Sequence, residues 1–233
     1  MGQRAEGAMQ GRLVMAVALL LALAAPVAWA LPSVRVLHAD GATRTVAAQS
    51  GADAATPFAI ASVGKAFTAV AVLRLVDRGL LDLDAPVAPV LPPEVRRAAG
   101  DLRGIRLHHL LTMTSGLPDY YDDAWFEAAL DGIHDGRRAL AALEAAADLP
   151  RAFRPGARFA YSNTDYVLLG AVLEAVTGRP YAAIIAAEVL RPAGLTDSFV
   201  FGSRPLPAAF ARGHPDRALV RAYYGGAGLG DGG

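Results

Sequence analysis

The 233-residue sequence contains no cysteine, and this absence excludes several kinds of site at once. Disulfide frameworks, thiolate zinc sites, iron–sulfur clusters, thiol nucleophiles and a lipid-modified N-terminal cysteine all need that sulfur. Lys+Arg 22 against Asp+Glu 22 gives a net charge of +0, so no basic surface is available for a nucleic-acid backbone. We therefore expect chemistry by oxygen and nitrogen groups, with no metal, no cofactor and no nucleic acid as partner.

Lysine is almost absent as well, because Lys65 is the single lysine and every other basic residue is arginine. A guanidinium keeps its charge at any working pH, whereas burial can push an ammonium to neutrality. The presence of one lysine in a chain that otherwise uses arginine therefore indicates that position 65 needs a side chain able to give up its proton.

The N-terminal segment has the layout of a secretory signal peptide. Arg4 and Arg12 precede an uncharged apolar stretch over 13–31, which contains a proline and a small-x-small site at 28–30. We expect residues 1–30 to be a cleaved signal peptide and residues 31–233 to form one exported domain, periplasmic or secreted. An uncleaved anchor is the alternative, because the stretch is just long enough to cross a bilayer, and only then would the protein contact a membrane.

The pattern of strands and helices predicts an α+β fold. Runs of strand-forming residues at 34–37 and 43–46 flank Asp40 and Gly41, which is typical of an antiparallel hairpin. Apolar residues dominate 67–75 and recur at helical spacing over 164–176, and each run is followed by a glycine. We interpret the first of these helices as buried. Further helices are predicted over 105–113 and 181–190, with two alanine-rich pieces within 124–148.

Ser62 precedes Lys65 by three residues at the start of the first strong helix, so both side chains project from the same face. A serine hydroxyl is a poor nucleophile until a base takes its proton, and a neutral lysine in a dry site can be that base. The backbone amide of Ser62 would also supply half of an oxyanion hole. The alternative is a capping serine followed by an exposed lysine.

A second polar cluster, Tyr161, Ser162 and Asn163, stands directly before the second strong helix. Taken alone, its simplest role is to cap that helix, with Asn163 as the N-cap residue. Its combination with Ser62 and Lys65 favours an active site instead.

The two motifs together resemble those of the serine β-lactamase and penicillin-binding superfamily, in its class C β-lactamase, D-alanyl-D-alanine carboxypeptidase and esterase branch. The first box is Ser-x-x-Lys, here Ser62 to Lys65, and the second is Tyr-x-Asn, here Tyr161 to Asn163. Segment 107–117 resembles the stretch between the boxes, and class A enzymes have Ser-Asp-Asn at the second box. The resemblance covers the chain from residue 34 onward. It implies a β-lactamase/transpeptidase-like fold, with an antiparallel sheet flanked by helices and a mostly helical subdomain.

The resemblance also implies roles for the site residues. Ser62 would be the nucleophile that forms an acyl-enzyme, and Lys65 its base or proton relay. Tyr161 would assist proton transfer to the leaving group and in deacylation, and Asn163 would bind the substrate amide and Lys65. A phenol beside an ammonium is eased toward phenolate, so lysine and tyrosine can share one proton, and the base is not assigned between them.

The implied substrate is an amide or ester: a D-alanyl-D-alanine-type cell-wall peptide, a β-lactam or a small ester. We rank a cell-wall peptide carboxypeptidase or an esterase-like hydrolase above an efficient β-lactamase. The rival hypothesis is a non-catalytic module that recognises penicillin or peptidoglycan, or an inactive fragment. The sequence does not predict the oligomeric state.

The C-terminal end departs from the superfamily pattern. Members continue to a third box that begins with lysine or histidine, and neither residue follows His214. We therefore interpret the glycine-rich end at 225–233 as an interrupted chain. We expect the sheet to lack its C-terminal strands, and the 233-residue chain to be poorly soluble and weakly active or inactive.

Overall fold

The computed structural model describes residues 34–37, 43–46, 57–130, 139–201, 203–205 and 207, and the chain divides between Thr56 and Pro57 into two units. In the first unit, β1 (Val34–Leu37) and β2 (Thr43–Val46) form an antiparallel pair. Both predicted hairpin strands are thereby confirmed. The turn between them and the predicted signal peptide lie outside the described residues, and a sheet flanked by helices remains a prediction.

The second unit is helical in its described part. A 3₁₀ turn (Ala61–Val63) leads into the first helix, and a π-helical turn (Ala186–Leu190) continues the last one. The helices are α1 (Gly64–Asp77), α2 (Pro93–Ala99), α3 (Leu107–Leu111), α4 (Asp123–Leu130), α5 (Ala139–Ala147), α6 (Asn163–Thr177) and α7 (Tyr181–Ile185).

Helices α1 and α6 provide the centre of the hydrophobic core. Apolar residues on one face of each helix are fully buried, and α7 packs against both. Removing this much apolar surface from water is the main force that holds two helices so distant in sequence together. The largest buried side chains are Leu75, Ile105, Leu110, Leu143, Leu168, Leu169, Leu173, Ile184 and Ile185.

Helix α1 packs in the core, as the predicted buried helix requires, but it is buried on one face only. Val72 and Leu75 are 0% exposed, whereas Val70 and Leu73 are both 43% exposed. The sequence of α1 is apolar on most faces, and such a helix contains no pattern that distinguishes the covered face from the open one.

No single helix in the described ranges is long and apolar enough to cross a membrane. The pair formed by α6 and the segment Tyr181–Leu190 reaches the necessary length and composition together, but it is bent by 81°. Core helices of soluble proteins have the same composition.

Gly116 lies where two backbone segments come into contact. Its φ is +77°, and a Cβ atom at this position would stand 2.0 Å from the carbonyl oxygen of Phe153. A backbone hydrogen bond joins the same two segments, because Ala152 N donates to Gly116 O at 2.9 Å. Only glycine satisfies both the positive φ and the close contact.

We expect Gly116→Ala to lower the free energy of unfolding by about 3 kcal/mol, because backbone strain adds to overpacking. The matched control is Gly178→Ala at the end of α6, where φ is +65° and no atom lies within 4 Å of the added Cβ. This control should lose only about 1 kcal/mol, through backbone strain alone. Urea unfolding measures both, and equal losses would contradict the role given to the Phe153 contact.

Candidate active site

Ser62 lies on the 3₁₀ turn that precedes α1. Ala61 before it has a φ of +43°, which is unusual for a residue with a side chain and marks a constrained turn. Val63 N closes the turn by donating to Ile60 O at 3.0 Å. The Ser62 side chain is exposed, so a substrate can approach its oxygen.

Lys65 points its amino group at two oxygen atoms. Nζ donates to Ser62 Oγ at 3.1 Å and to Asn163 Oδ1 at 2.7 Å. It also lies over the rings of Tyr161 and Tyr166, at 4.9 and 5.8 Å from their centroids, within the range of cation–π attraction. These contacts are those of an ammonium. The side chain is half-buried, and therefore less sheltered than the dry site expected from the sequence.

Tyr161 completes a triangle around the Ser62 oxygen. Its hydroxyl donates to Ser62 Oγ at 2.7 Å. Burial raises the pKa of the Tyr161 phenol, but hydrogen bonding with Lys65 and Ser62 and the charge of Lys65 outweigh burial, so this pKa lies below its ordinary value. The structure thus brings Ser62, Lys65, Tyr161 and Asn163 together, as the sequence predicted.

Ser162, and not Asn163, is the N-cap residue of α6. Ser162 Oγ accepts a hydrogen bond from Asp165 N at 3.1 Å, and Asn163 is the first helical residue. Serine and asparagine are equally good caps, so the sequence alone did not discriminate between them. The Asn163 side chain is engaged with Lys65 instead of the helix terminus.

The segment 115–120, called here the clamp loop, is attached to the start of α6. Thr164 Oγ1 donates to Pro118 O at 2.8 Å and accepts from Tyr120 N at 3.1 Å. Ser115 Oγ donates to Asp165 Oδ1 at 2.5 Å. Consecutive residues of α6 therefore bind different parts of one loop, and the loop and the helix start form one hydrogen-bonded unit.

Asp119 of the clamp loop contacts Asn163, and sequence reasoning missed it. Asn163 N donates to Asp119 Oδ1 at 3.2 Å, and Asn163 Nδ2 donates to Asp119 Oδ2 at 2.9 Å. The two residues are 44 positions apart, so no local spacing connects them. The only signal was the position of Asp119 two residues beyond the segment 107–117.

Aromatic rings lie beside this loop. Tyr120 contacts Trp125 edge-on, with ring centroids 5.1 Å apart. Burial, and after it the charge of Asp119, raises the pKa of Tyr120 to about 12, so this phenol stays protonated. Among the described residues, no three His, Asp or Glu side chains converge as metal ligands.

Comparison with known proteins identifies the family. The sequence profile named Beta-lactamase matches residues 25–232. The chain belongs to the beta-lactamase family. This family includes penicillin-binding relatives and an esterase, as the sequence motifs predicted.

Two curated relatives and one solved structure show the extent of the match. Over 181 residues the chain is 39% identical to Esterase EstB of Burkholderia gladioli, covering 71% of this chain and 44% of that protein. Over 151 residues it is 33% identical to Penicillin-binding protein 4* of Bacillus subtilis (strain 168), covering 64% of this chain and 32% of that protein. The crystal structure of a penicillin binding protein from Bacillus halodurans matches with a TM-score of 0.58 at 36% identity, covering 67% of this chain and 46% of that chain.

These matches indicate the β-lactamase/transpeptidase fold for this beta-lactamase family member. The chain spans less than half the length of each of these relatives, 44%, 32% and 46%. Details of the sheet beyond β1 and β2 remain a prediction.

Asp165 is a buried carboxyl group behind the site. It is 0% exposed, and its Oδ2 has no hydrogen-bond partner among the described residues. Burial raises the pKa of Asp165, and the charge of Asp119 raises it further. Hydrogen bonds with Ser115 and Ser162 lower it in part, and the resulting pKa is about 7. The neutral acid is therefore the form that the fold prefers.

We expect Asp165 to make stability depend on pH. Its pKa is higher in the folded protein than its ordinary value of 3.8, so its stabilising contribution is complete below that value and is lost as pH rises to about 7. Asp165→Asn resembles the neutral acid and removes this loss. Relative to the wild type, the free energy of unfolding of the variant should rise by up to about 4 kcal/mol between pH 4 and pH 8. Urea unfolding across that range measures it, and a constant difference would contradict it.

Proposed function

We propose that this protein is a serine hydrolase that acts on an amide or ester through an acyl-enzyme, with Ser62 as the nucleophile. One observation carries the proposal: Lys65 Nζ and Tyr161 OH both lie within hydrogen-bond distance of Ser62 Oγ, at 3.1 and 2.7 Å. A serine oxygen becomes a nucleophile when a neighbouring group takes its proton, and two such groups are in reach. Relatives named as an esterase and a penicillin-binding protein support this class of reaction.

Tyr161 is the proposed base. The Lys65 amino group donates to the Asn163 oxygen and lies over two aromatic rings, so its contacts are those of a hydrogen-bond donor and a cation. The same positive charge lowers the pKa of the Tyr161 phenol and so makes the phenolate accessible. With Tyr161 as phenolate, the hydrogen bond to Ser62 reverses and the serine hydroxyl donates.

The reaction then proceeds in two balanced halves. Ser62 Oγ bonds to the substrate carbonyl carbon while its proton moves to Tyr161, and collapse of the tetrahedral intermediate expels the leaving amine or alcohol with that proton. Water attacks the acyl-enzyme, Tyr161 takes a proton from the water, and the proton returns to Ser62 as the acid departs. The Ser62 backbone amide contributes one donor to the oxyanion, and the ammonium of Lys65 keeps the phenolate stable between steps.

The proposed substrates are a small ester or a cell-wall peptide ending in D-alanyl-D-alanine, ahead of a β-lactam. The side chains next to the site motifs in sequence are apolar and exposed: Ile60 is 50%, Val63 64% and Phe159 66% exposed. Such a surface suits an apolar acyl group. Export to the periplasm or the medium, proposed from the signal-peptide pattern, would place the enzyme where cell-wall peptides occur.

We expect p-nitrophenyl butyrate and a penicillin each to add their acyl mass to the wild-type protein, at Ser62. Ser62→Ala should abolish both adducts, because the attacking oxygen is gone. Ser198→Ala is the matched control: this exposed serine lies outside the site, and its loss should leave both adducts unchanged. Intact-mass spectrometry after rapid acid quenching measures the adducts.

Three outcomes are informative in this experiment. Ester release with transient acylation supports the hydrolase. Stable acylation by penicillin without ester release would favour the non-catalytic penicillin-recognising module. A 233-residue wild-type protein that shows neither adduct, even after long incubation, would refute the proposed function and favour the inactive fragment.

We expect the acylation rate constant to rise with pH as the Tyr161 phenol loses its proton, through a pKa below that of an ordinary tyrosine. Tyr161→Phe should be slower by at least about a hundredfold and should lose this rising limb. Stopped-flow release of p-nitrophenol at a series of pH values measures the profile. A rising limb that persists in Tyr161→Phe would make Lys65 the base instead.

A further inference from the structure

We propose that Asp119 is a positioning residue: it fixes the orientation of the Asn163 side-chain amide and thereby keeps an oxygen atom against Lys65. The inference deepens the proposed function, because it assigns a role at the same site. In the part of the chain that the structure describes, the hydrogen bonds of Asp119 reach Asn163 and the backbone N–H of Tyr121, not the Ser62 oxygen or the Lys65 amino group, so Asp119 acts through Asn163.

The directions of the hydrogen bonds carry the argument. Asp119 Oδ1 accepts two backbone N–H bonds, from Asn163 N at 3.2 Å and from Tyr121 N at 3.2 Å. Its other oxygen, Oδ2, accepts from Asn163 Nδ2 at 2.9 Å. A carboxylate can only accept, so the amide nitrogen of Asn163 must face Asp119. The amide oxygen is then left to face Lys65 Nζ, at 2.7 Å.

An asparagine at position 119 would reverse this arrangement without changing the shape of the side chain. Backbone N–H groups cannot turn, so the amide oxygen of the new residue must stay with Asn163 N and Tyr121 N. Its NH₂ group then takes the place of Oδ2 and meets the NH₂ group of Asn163, donor against donor. Asn163 must rotate, and its NH₂ group then faces Lys65 Nζ, which is also a donor.

The clamp loop has other attachments, so this reversal can occur without loss of the fold. Thr164 binds Pro118 and Tyr120, at 2.8 and 3.1 Å. Ser115 binds Asp165 at 2.5 Å. A variant at position 119 therefore alters the amide of Asn163 while these bonds still hold the loop against α6.

The experiment compares Asp119→Asn with Asp119→Ala. We expect acylation by p-nitrophenyl butyrate to slow by about a hundredfold in Asp119→Asn, because Lys65 is displaced from Ser62. Asp119→Ala removes the acceptor but forces no donor on Asn163, so it should lose only about tenfold. Thr164→Val is the matched control: it removes both hydrogen bonds of Thr164 to the loop without touching the Asn163 side chain, and its rate should change less than that of Asp119→Ala.

This ranking distinguishes positioning from simple support of the loop. If Asp119 only anchored the loop, truncation to alanine would be at least as harmful as the isosteric asparagine. An acylation rate of Asp119→Ala equal to or below that of Asp119→Asn would therefore overturn the proposal, provided that circular dichroism shows all variants to be folded.

A second readout does not depend on activity. The groups that act on the Tyr161 phenol are Ser62 from the 3₁₀ turn, Lys65 from α1 and Asp119 from the clamp loop; Tyr120 and Tyr166 also interact with it. The negative charge of Asp119 raises the pKa of Tyr161, so loss of this charge alone would lower that pKa in Asp119→Asn. Loss of the Lys65 ammonium from its place raises it instead. The two explanations therefore predict shifts of opposite sign.

The phenol is titrated by ultraviolet absorbance, as the difference between each protein and the same protein carrying Tyr161→Phe. We expect the pKa of Tyr161 to rise in Asp119→Asn, and an unchanged or lower pKa would overturn the role of Asp119. A wild-type protein that is never acylated would refute the proposed function alone. The titration of Tyr161 requires no acylation, so it would still decide whether Asp119 positions Asn163 and Lys65.

Discussion

The hydrogen bond between Lys65 Nζ and Asn163 Oδ1, 2.7 Å long, joins the starts of two helices that are 98 residues apart in the sequence. Its existence requires α1 and α6 to be packed correctly over their whole length, because a small rotation of either helix would separate the two atoms. The buried leucine, valine and alanine side chains of the two helices enforce that packing. The polar geometry at the helix starts is thus a consequence of apolar contacts farther along the same helices.

The first turn of α6 serves two purposes in consecutive residues. Asn163 faces the site, whereas Thr164 and Asp165 hold the clamp loop. Thr164 and Asp165 are buried, so their hydrogen bonds lie in a medium of low dielectric constant, where an unmade bond is costly. The clamp loop, which carries Asp119, is therefore held against the start of α6 by a network that contains few alternatives.

Much of the site was predictable from the sequence because its motifs are local. Three-residue spacing places Ser62 against Lys65, and the position of Tyr161 and Asn163 before a strongly periodic helix places them at its start. The partners of Asp119 and Asp165 lie 44 and 50 residues away, and such pairings depend on how the loop folds back. The sequence shows that positions 119 and 165 are aspartates, but it does not show which distant side chains their carboxyl groups bind.

The helices and the hairpin were predictable to a similar degree, with physical limits of the same kind. Alternating strand-forming residues and glycine-terminated apolar runs marked β1, β2, α1 and α6. The segment 181–190 was predicted as one continuous helix, whereas the structure changes to a π-helical turn at Ala186. Glu188 in that turn forms ion pairs with Arg74 of α1 and with Arg78, the residue directly after α1, at 3.4 and 3.0 Å. Contacts of this kind between distant elements leave no mark on helical periodicity.

The left-handed backbone of Ala61 has a consequence for how Ser62 tolerates change. An alanine at a φ of +43° costs about 1 to 2 kcal/mol that a glycine would not. A glycine at position 61 would also allow more backbone conformations before α1. The Ser62 oxygen would then sample several positions relative to the Lys65 amino group and the Tyr161 phenol. Ala61→Gly would thus raise the thermal stability of the protein and lower the reactivity of Ser62. Stability and catalytic rate therefore oppose each other at this residue.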